Sequence, residues 1–543
     1  MNNKDHQRIK KEKNLQHAFI VLLIVMTLID STRSKLITSG PKNLLKDPQN
    51  YYRVFHGVNI AYKILPYYPP ILTHFDYTLS FSEKDAQDLA SWGMNFIRLT
   101  FYWEAVEPER TQYNQTYISK LKYIVELCDK YNISVLLDLH QDAASRYYCG
   151  EGMPDWAVDR MTDFPSPLKS EIIIGEDGYP TLESCLKTRF SKYYWSDAVQ
   201  QAFQDLYDNK NGIKDAFAEM WKFVASEFKD YENVIGYEIL NEPWIGDINK
   251  NKLIVLDGGD KNLLPLYQLV HRKIREVDSR TIVFFECAIT DYAAFSLTKP
   301  PAEGPYLNRL MQSYHIYCST LGDQKSAIIC DALEAGEDLS TDIMQRMWKV
   351  GGLMSEFGAI SGKPGADIDS TKFLIEVAAN KFHSWSYWQF KYYDDYTTHS
   401  RPSVDEGFYN GEGALIVDKV AMLARPYAYR ICGEPLSTVW KSGTLDLRLR
   451  AAKEGACAED GEGVEEEMKG RRGGTDRDGG VIIGEGNSVW FFLSKRFHFE
   501  SGFDSLVEGA KGYEVEEVGA DRYRVRYFGA RENAEVRIKI VAK

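Results

Sequence analysis

From residue 54 onward the chain alternates between short runs of β-branched and aromatic residues and longer stretches whose apolar positions recur every three or four residues. The first pattern suits a strand buried on both faces and the second an amphipathic helix, so their alternation predicts repeated parallel βα units. The strand candidates are VFHGVNI from Val54, MNFIRLTF from Met94, SVLLDLHQD from Ser134, VIGYEILNEP from Val234, TIVFFEC from Thr281, MQSYHIY from Met311, GGLMSEFG from Gly351 and SWSYWQFK from Ser384. Helical periodicity occupies residues 82–92, 117–131, 213–231 and 264–277 between them. Eight strands with intervening helices predict an α/β fold, a (β/α)8 TIM barrel, over residues 35–430.

After Arg430 the helical pattern ceases. The alternating segments STVWKSG, DLRLR, SVWFFL, YEVEEV, DRYRVRYF and AEVRIKIV predict a small C-terminal antiparallel β-sandwich over residues 431–543. Residues 453–480, acidic and Gly-rich with almost no large apolar side chain, read as a disordered insertion within it. The connection after the third strand, residues 143–207, is unusually long and carries Trp156 and Trp195, which marks it as functional. At the other end, the basic residues 4–13, the 12-residue apolar run 18–29 and the polar residues 30–35 read as a secretory signal over residues 1–34, or as a signal anchor if uncleaved. The protein is therefore expected in the secretory pathway, secreted or lysosomal, and membrane-anchored if that segment is retained.

Composition narrows the function. A net charge of −13 lacks the basic surface that nucleic acid requires, so no nucleic-acid partner is expected. The 34 Tyr, 26 Phe and 11 Trp suit surfaces that stack on sugar rings or lipid, and equally a large core. Eight cysteines in 543 residues do not make a disulfide scaffold, but Cys149 with Cys185 and Cys318 with Cys330 flank loops and are reasonable staples; the second pair is expected to pin the loop after the sixth strand. Asn114 and Asn132 head glycosylation sequons, the second abutting a buried strand and so the weaker. No cofactor or metal is called for, because the histidines are not clustered at ligand spacing.

In such a barrel the active site lies at the carboxyl ends of the strands. Asn241-Glu242-Pro243 ends the fourth strand and Ser355-Glu356-Phe357-Gly358 the seventh, which places two carboxyl groups across one mouth. Glycosidic bond cleavage needs such a pair, one to donate a proton and one to attack or activate water. Arg98, His140, His315, Tyr317 and Trp388 complete the ring, Trp388 offering a flat face to a sugar, while Lys63, Asp138, Asp142 and Gln389 are placed by position as sugar contacts.

Arg98, His140, Asn241, Glu242, His315, Tyr317, Glu356 and Trp388 stand in the order and spacing of glycoside hydrolase family 5, a family of retaining (β/α)8 glycosidases that the sequence resembles over residues 50–440. Within it, GVNIAYK, LLDLHQDAASRYYCGEGMPDWA, ILNEPWIGD and SYWQFKYYDD are similar to endoglycoceramidases, which cut between oligosaccharide and ceramide in glycosphingolipids. The resemblance implies Glu242 and Glu356 as the catalytic pair, supported by Arg98, Asn241, His315 and Tyr317. It further implies that Glu356, paired with Arg98 and Tyr317, attacks, and that Glu242, the carboxyl without a partner, carries the proton. The apolar loops 62–77 and 291–307 are then expected to accept lipid and touch a membrane surface. A β-glucan hydrolase of the same family and a non-catalytic glycolipid-binding barrel are the competing readings.

Overall fold

The computed structural model describes residues 35–160, 172–289, 296–317, 327–362, 366–393, 406–458, 474–475, 481–482 and 487–543. All eight strand candidates form strands: His56–Ile60, Phe96–Phe101, Ser134–Leu139, Val234–Glu238, Ile282–Phe285, Leu310–Ile316, Gly351–Gly358 and Ser384–Trp388. They close in that order into one parallel barrel, the eighth pairing with the first. The expected helices appear as Glu83–Ser91, Gln115–Lys130, Ile213–Phe228 and Leu264–Arg275. Their starts are chemically marked. Ser82 donates its backbone N–H and its hydroxyl to Asp85 Oδ2 at 2.7 and 2.8 Å, and Asn114 Oδ1 accepts the N–H of Tyr117 at 3.0 Å.

Side chains two residues apart on a strand share a face, and this alternation builds the barrel interior in layers. Phe96, Leu136, Phe284, Met311 and Leu353 form an apolar floor. Two residues further along their strands stand Arg98, Asp138, Glu286 and Ser313, and His315 follows two beyond that. The charged layer thus lies immediately above the floor.

The domain boundaries differ from those expected. Ile37–Ser39, Leu44–Lys46 and Tyr52–Arg53, assigned above to the barrel, join Tyr427–Ile431, Asn487–Phe492, Arg522–Phe528 and Gly512–Gly519 in a seven-stranded antiparallel sheet. Glu434–Lys441, Thr444–Arg450, Glu535–Ala542 and Phe503–Glu508 form the second sheet of the sandwich. Strands of two or three residues carry no readable periodicity, and Arg53 finds its partner Arg430 only through the fold. The same N-terminal segment closes the bottom of the barrel. Leu36 and Leu45 pack into the floor, Lys35 Nζ donates to Val234 O and Thr281 Oγ1 at 3.2 and 3.0 Å, and Arg309 Nη1 donates to Leu36 O at 2.7 Å.

Cys149 and Cys185 are bridged, as is a pair the spacing did not suggest, Cys432 and Cys457. The second bridge corrects the start of the insertion: residues 453–458 are tied down, with Ala458 N–H donating to Gln49 O at 3.1 Å, and Gly474–Thr475 pairs with Val481–Ile482. Residues 459–473, the segment 1–34 expected to be a signal, and the expected Cys318–Cys330 staple, through Cys318, lie outside the described residues. The sequon ranking reverses on accessibility: Asn132 is exposed, whereas Asn114 is half-buried and occupied as a helix cap.

Candidate active site

Arg98 organises the charged layer. It is fully buried and donates four hydrogen bonds. Nε donates to Glu238 Oε2 at 2.5 Å, Nη1 to Asn59 Oδ1 at 3.0 Å and Glu356 Oε1 at 2.6 Å, and Nη2 to Asn241 Oδ1 at 2.7 Å, while Nη2 also forms an ion pair with Asp138 Oδ1 at 3.1 Å. Burial opposes its charge, but the carboxylates of Asp138, Glu238 and Glu356 outweigh that and hold the guanidinium well above its usual range.

Glu356 is aimed by a register shift. Met354 lies level with Tyr314 and Glu356 with His315, so Ser355 is an extra residue, and a bulge of this kind turns the following side chain. Its Oε1 accepts from Arg98, and its Oε2 accepts the Tyr317 hydroxyl at 2.9 Å. Burial and the adjacent Glu356 push that phenol well above its usual range, so Tyr317 remains a donor.

Glu242 follows the fourth strand with φ at 41°, a left-handed backbone that a non-glycine residue holds only under constraint. The constraint is visible. Its N–H donates to Glu286 Oε2 at 3.1 Å, and its carbonyl accepts Gln141 Nε2 at 3.0 Å; the same amide reaches Asn241 O at 2.9 Å, and Gln141 Oε1 accepts the N–H of Ala144 at 3.0 Å. Contrary to expectation, the Glu242 carboxyl has a partner: Oε1 lies 2.7 Å from His315 Nδ1. One oxygen each of Glu242 and Glu356 and a nitrogen of His315 lie within 4.8 Å of one another. Burial works against a charged His315, but Glu356 and the bond to Glu242 raise its affinity for a proton overall. This close approach of the two carboxyl groups accords with the roughly 5–5.5 Å spacing of retaining glycosidases.

A second cluster adjoins the first. His140 Nδ1 lies 2.8 Å from Asp138 Oδ2, Lys63 Nζ lies 2.5 Å from Asp142 Oδ2, and Tyr194 donates its hydroxyl to Asp142 Oδ1 at 3.2 Å. Burial opposes the Asp142 charge, but Lys63 and His140 hold its carboxyl well below the usual range. Lys63 Nζ sits 4.7 Å over the Trp388 ring, and His140 lies nearly parallel to that ring at 5.6 Å. Trp388 is only 2% exposed, so its ring is flanked by these neighbours and is not the open platform expected from its position. Asp138 is corrected outright. It lies one residue inside the strand end, fully buried, its oxygens engaged by Arg98 and His140, so it orients His140 and does not reach a sugar. Gln389 is likewise fully buried.

A family description for cellulases of glycosyl hydrolase family 5 matches residues 72–394. The chain belongs to glycosyl hydrolase family 5. The endoglycoceramidase of Cyanea nozakii is 36% identical over 377 residues, 68% of this chain and 72% of that protein. That of Hydra vulgaris is 34% identical over 380 residues, 69% of this chain and 70% of that protein. Endo-glycoceramidase II from Rhodococcus sp., solved in complex with ganglioside GM3, superposes with a TM-score of 0.69 at 22% identity, covering 92% of this chain and 99% of that one. The architecture read from the pattern of strands, a barrel with a C-terminal sandwich, is the fold of that structure.

Several residues that shape this family 5 site escaped the sequence reading: Asn59, Gln141, Glu238, Glu286 and Glu104. The strand period would have found two of them, since Glu238 and Glu286 each stand two positions beyond an interior residue, Gly236 and Phe284. Glu104 joins two loops of the mouth. Its Oε2 accepts the Tyr67 hydroxyl at 2.7 Å and its Oε1 the Gly152 N–H at 2.8 Å. Burial pushes its carboxyl from an ordinary 4.5 up to about 7. The folded protein therefore holds this proton up to about pH 7 and the unfolded chain only to about 4.5. The resulting stabilisation, about 3 kcal/mol, is fully present below pH 4.5 and is lost as pH rises through 7. Denaturant titrations from pH 4 to 8 should show this loss in the wild type and a flatter profile in Glu104→Gln; coincident slopes would mean that Glu104 does not titrate there.

Proposed function

We propose that this family 5 glycoside hydrolase is an endoglycoceramidase, a retaining endo-β-glycosidase that hydrolyses the linkage between oligosaccharide and ceramide in glycosphingolipids. The observation that carries the mechanism is the contrast between two carboxyls within 4.8 Å: Glu356 is held by Arg98 and Tyr317, Glu242 by His315. Arg98 and Tyr317 each donate to one oxygen of Glu356 and so orient the carboxylate that attacks the anomeric carbon. The proton shared by Glu242 and His315 passes from Glu242 to the departing ceramide oxygen. Once Glu356 is esterified its charge is gone, and Glu242 draws a proton from water as the ester is hydrolysed, so two inversions retain the configuration. The substrate class rests on the two relatives above 30% identity, both named endoglycoceramidases.

The loops support part of the lipid reading. In loop 62–77, Leu65 is 67% and Phe75 39% exposed. Residues 291–295 of the second loop lie outside the described residues, and beyond them Leu297 is buried while Thr298, Lys299 and Glu303 face solvent, so the described part of that loop does not offer an apolar surface. The apolar exposure comes instead from the connection after the fourth strand, where Leu253 and Leu256 are 69% and 70% exposed. These residues would meet the ceramide or the surface that holds it. Placement in the secretory pathway is part of the proposal, and the bridges Cys149–Cys185 and Cys432–Cys457 support an oxidising compartment.

Incubation with a ganglioside and with a monohexosylceramide in detergent, followed by identification of both products, tests the reading. Intact oligosaccharide plus ceramide is the expected result; stepwise release of monosaccharides would overturn it. Replacing Ile64, Leu65, Ile71 and Leu72 together with Ser should lower glycolipid cleavage at least about tenfold relative to a water-soluble aryl glycoside, because remote apolar binding positions the scissile bond. Equal losses on both substrates would remove the role assigned to this loop.

A further inference from the structure

Glu286 lies beneath the catalytic pair and has no part in the chemistry above. It follows the fifth strand, two positions beyond the floor residue Phe284, and is 4% exposed. Its Oε2 accepts the backbone N–H of Glu242 at 3.1 Å. Its Oε1 lies 3.4 Å from His315 Nε2 and 3.7 Å from Arg98 Nη2. One oxygen each of Glu286 and Glu238 and a nitrogen of His315 gather within 4.8 Å.

Donors are the scarce quantity here. Arg98 donates hydrogen bonds to Glu238, Asn59, Glu356 and Asn241 and forms an ion pair with Asp138 at 3.1 Å, while Glu286 at 3.7 Å lies beyond hydrogen-bonding distance. Glu238 Oε1 and Glu286 Oε1 are both buried and neither accepts a hydrogen bond from an N–H or hydroxyl group, although the two side chains face one another closely enough to hydrogen-bond. Two ionised carboxylates cannot make that contact, whereas a carboxylic acid and a carboxylate can. Arg98 claims the ionised form for Glu238, its partner at 2.5 Å.

We propose that Glu286 is a positioning residue that stays a neutral acid, donating its proton to Glu238 and holding the Glu242 backbone in its left-handed conformation. The groups facing it are Glu238 and Glu242 from the fourth strand and its loop, Arg98 from the second, His315 from the sixth, and the Tyr267 hydroxyl, which donates to the Glu286 backbone carbonyl at 2.9 Å. Burial and the Glu238 charge push the Glu286 carboxyl well above the usual carboxylate range, with Arg98 opposing and Glu242 reinforcing. Neutrality matters for the reaction, because an ionised Glu286 would put another negative charge beside the acid that must release its proton.

The proposal rests on the glycosidase chemistry and not on the ceramide aglycone, so it is tested with an aryl glycoside; failure on gangliosides alone would count against the proposed function and leave this inference standing. Glu286→Leu should lower kcat about 100-fold, the cost of a catalytic group misplaced by about an ångström, with KM changed little. Glu286→Gln, whose amide can still donate to Glu238 and accept from Glu242, should recover most of that loss. Infrared difference spectra should show a carboxylic-acid C=O band that disappears in Glu286→Gln and persists in Glu242→Gln, and the alkaline limb of the kcat/KM profile should stay in place in Glu286→Gln. A band that survives in Glu286→Gln, or an alkaline limb shifted down by about half a unit or more, would mean that an ionised carboxylate had been removed, and the proposal would fail.

Discussion

Glu356→Gln is expected to abolish turnover on every substrate, while Glu242→Ala keeps the first chemical step for aryl glycosides whose leaving group needs no proton. The asymmetry follows from the partners. Arg98 and Tyr317 orient the Glu356 carboxylate as a nucleophile that an amide cannot replace, and among the described residues no other carboxyl accepts from both of them. Glu242 serves the leaving group and then the attacking water, so its removal should cost about 10²–10⁴-fold on substrates that need a proton and much less on those that do not. Azide, which requires no general base, should then capture the glycosyl-enzyme in Glu242→Ala. The product should be a β-glycosyl azide, absent from reactions of Glu356→Ala. Azide adducts with the Glu356 variant alone would exchange the two roles, and an α-configured product from the wild type would overturn retention.

Arg98→Met is expected to be the most destabilising single replacement in the barrel, by about 3–5 kcal/mol, because it strands the charges of Asp138, Glu238 and Glu356 in a layer closed from below by apolar side chains. Activity should be lost with it. Arg98→Lys separates the two effects. It restores one positive charge but only three donors from a single nitrogen, where the guanidinium serves four hydrogen-bond acceptors from three nitrogens. Stability should recover in part, while kcat/KM stays at least about 100-fold below wild type because Glu356 and Asn241 are no longer gripped together. Denaturant midpoints alongside aryl glycoside kinetics check this; a fully active Arg98→Lys enzyme would show that charge alone suffices.

The barrel was legible because each of its strands is buried on both faces and so writes a continuous apolar run, and because the chain supplies the strands in the order in which they pair. Glu242 and Glu356 were legible as carboxyls at strand ends. What could not be read was anything decided by distant pairing or by the contest for donors. Tyr52–Arg53 is too short to register as a strand, and its neighbour is specified some 370 residues away. The partner of Glu242 was missed because His315 reads equally as a core histidine, and Asp138 was taken for a sugar ligand because its distance below the rim is a matter of one residue. Cys432–Cys457 joins a strand end to a segment whose composition alone reads as disordered.

The lacing of the N-terminal strands into the C-terminal sheet sets an order on biosynthesis. Tyr52–Arg53 leaves the ribosome among the first residues of the fold, yet the strand it pairs with, Tyr427–Ile431, is made only after all eight barrel strands. At about 5–20 residues per second the early strand edge waits roughly 20–75 s with its backbone groups unpaired. The plug formed by Leu36 and Leu45 can dock only near the end of that interval, because the barrel floor is complete once the eighth strand, Ser384–Trp388, is in place. A chain released between residues 388 and 427 would therefore carry all eight barrel strands on a body with an open sheet edge, a form suited to retention by chaperones.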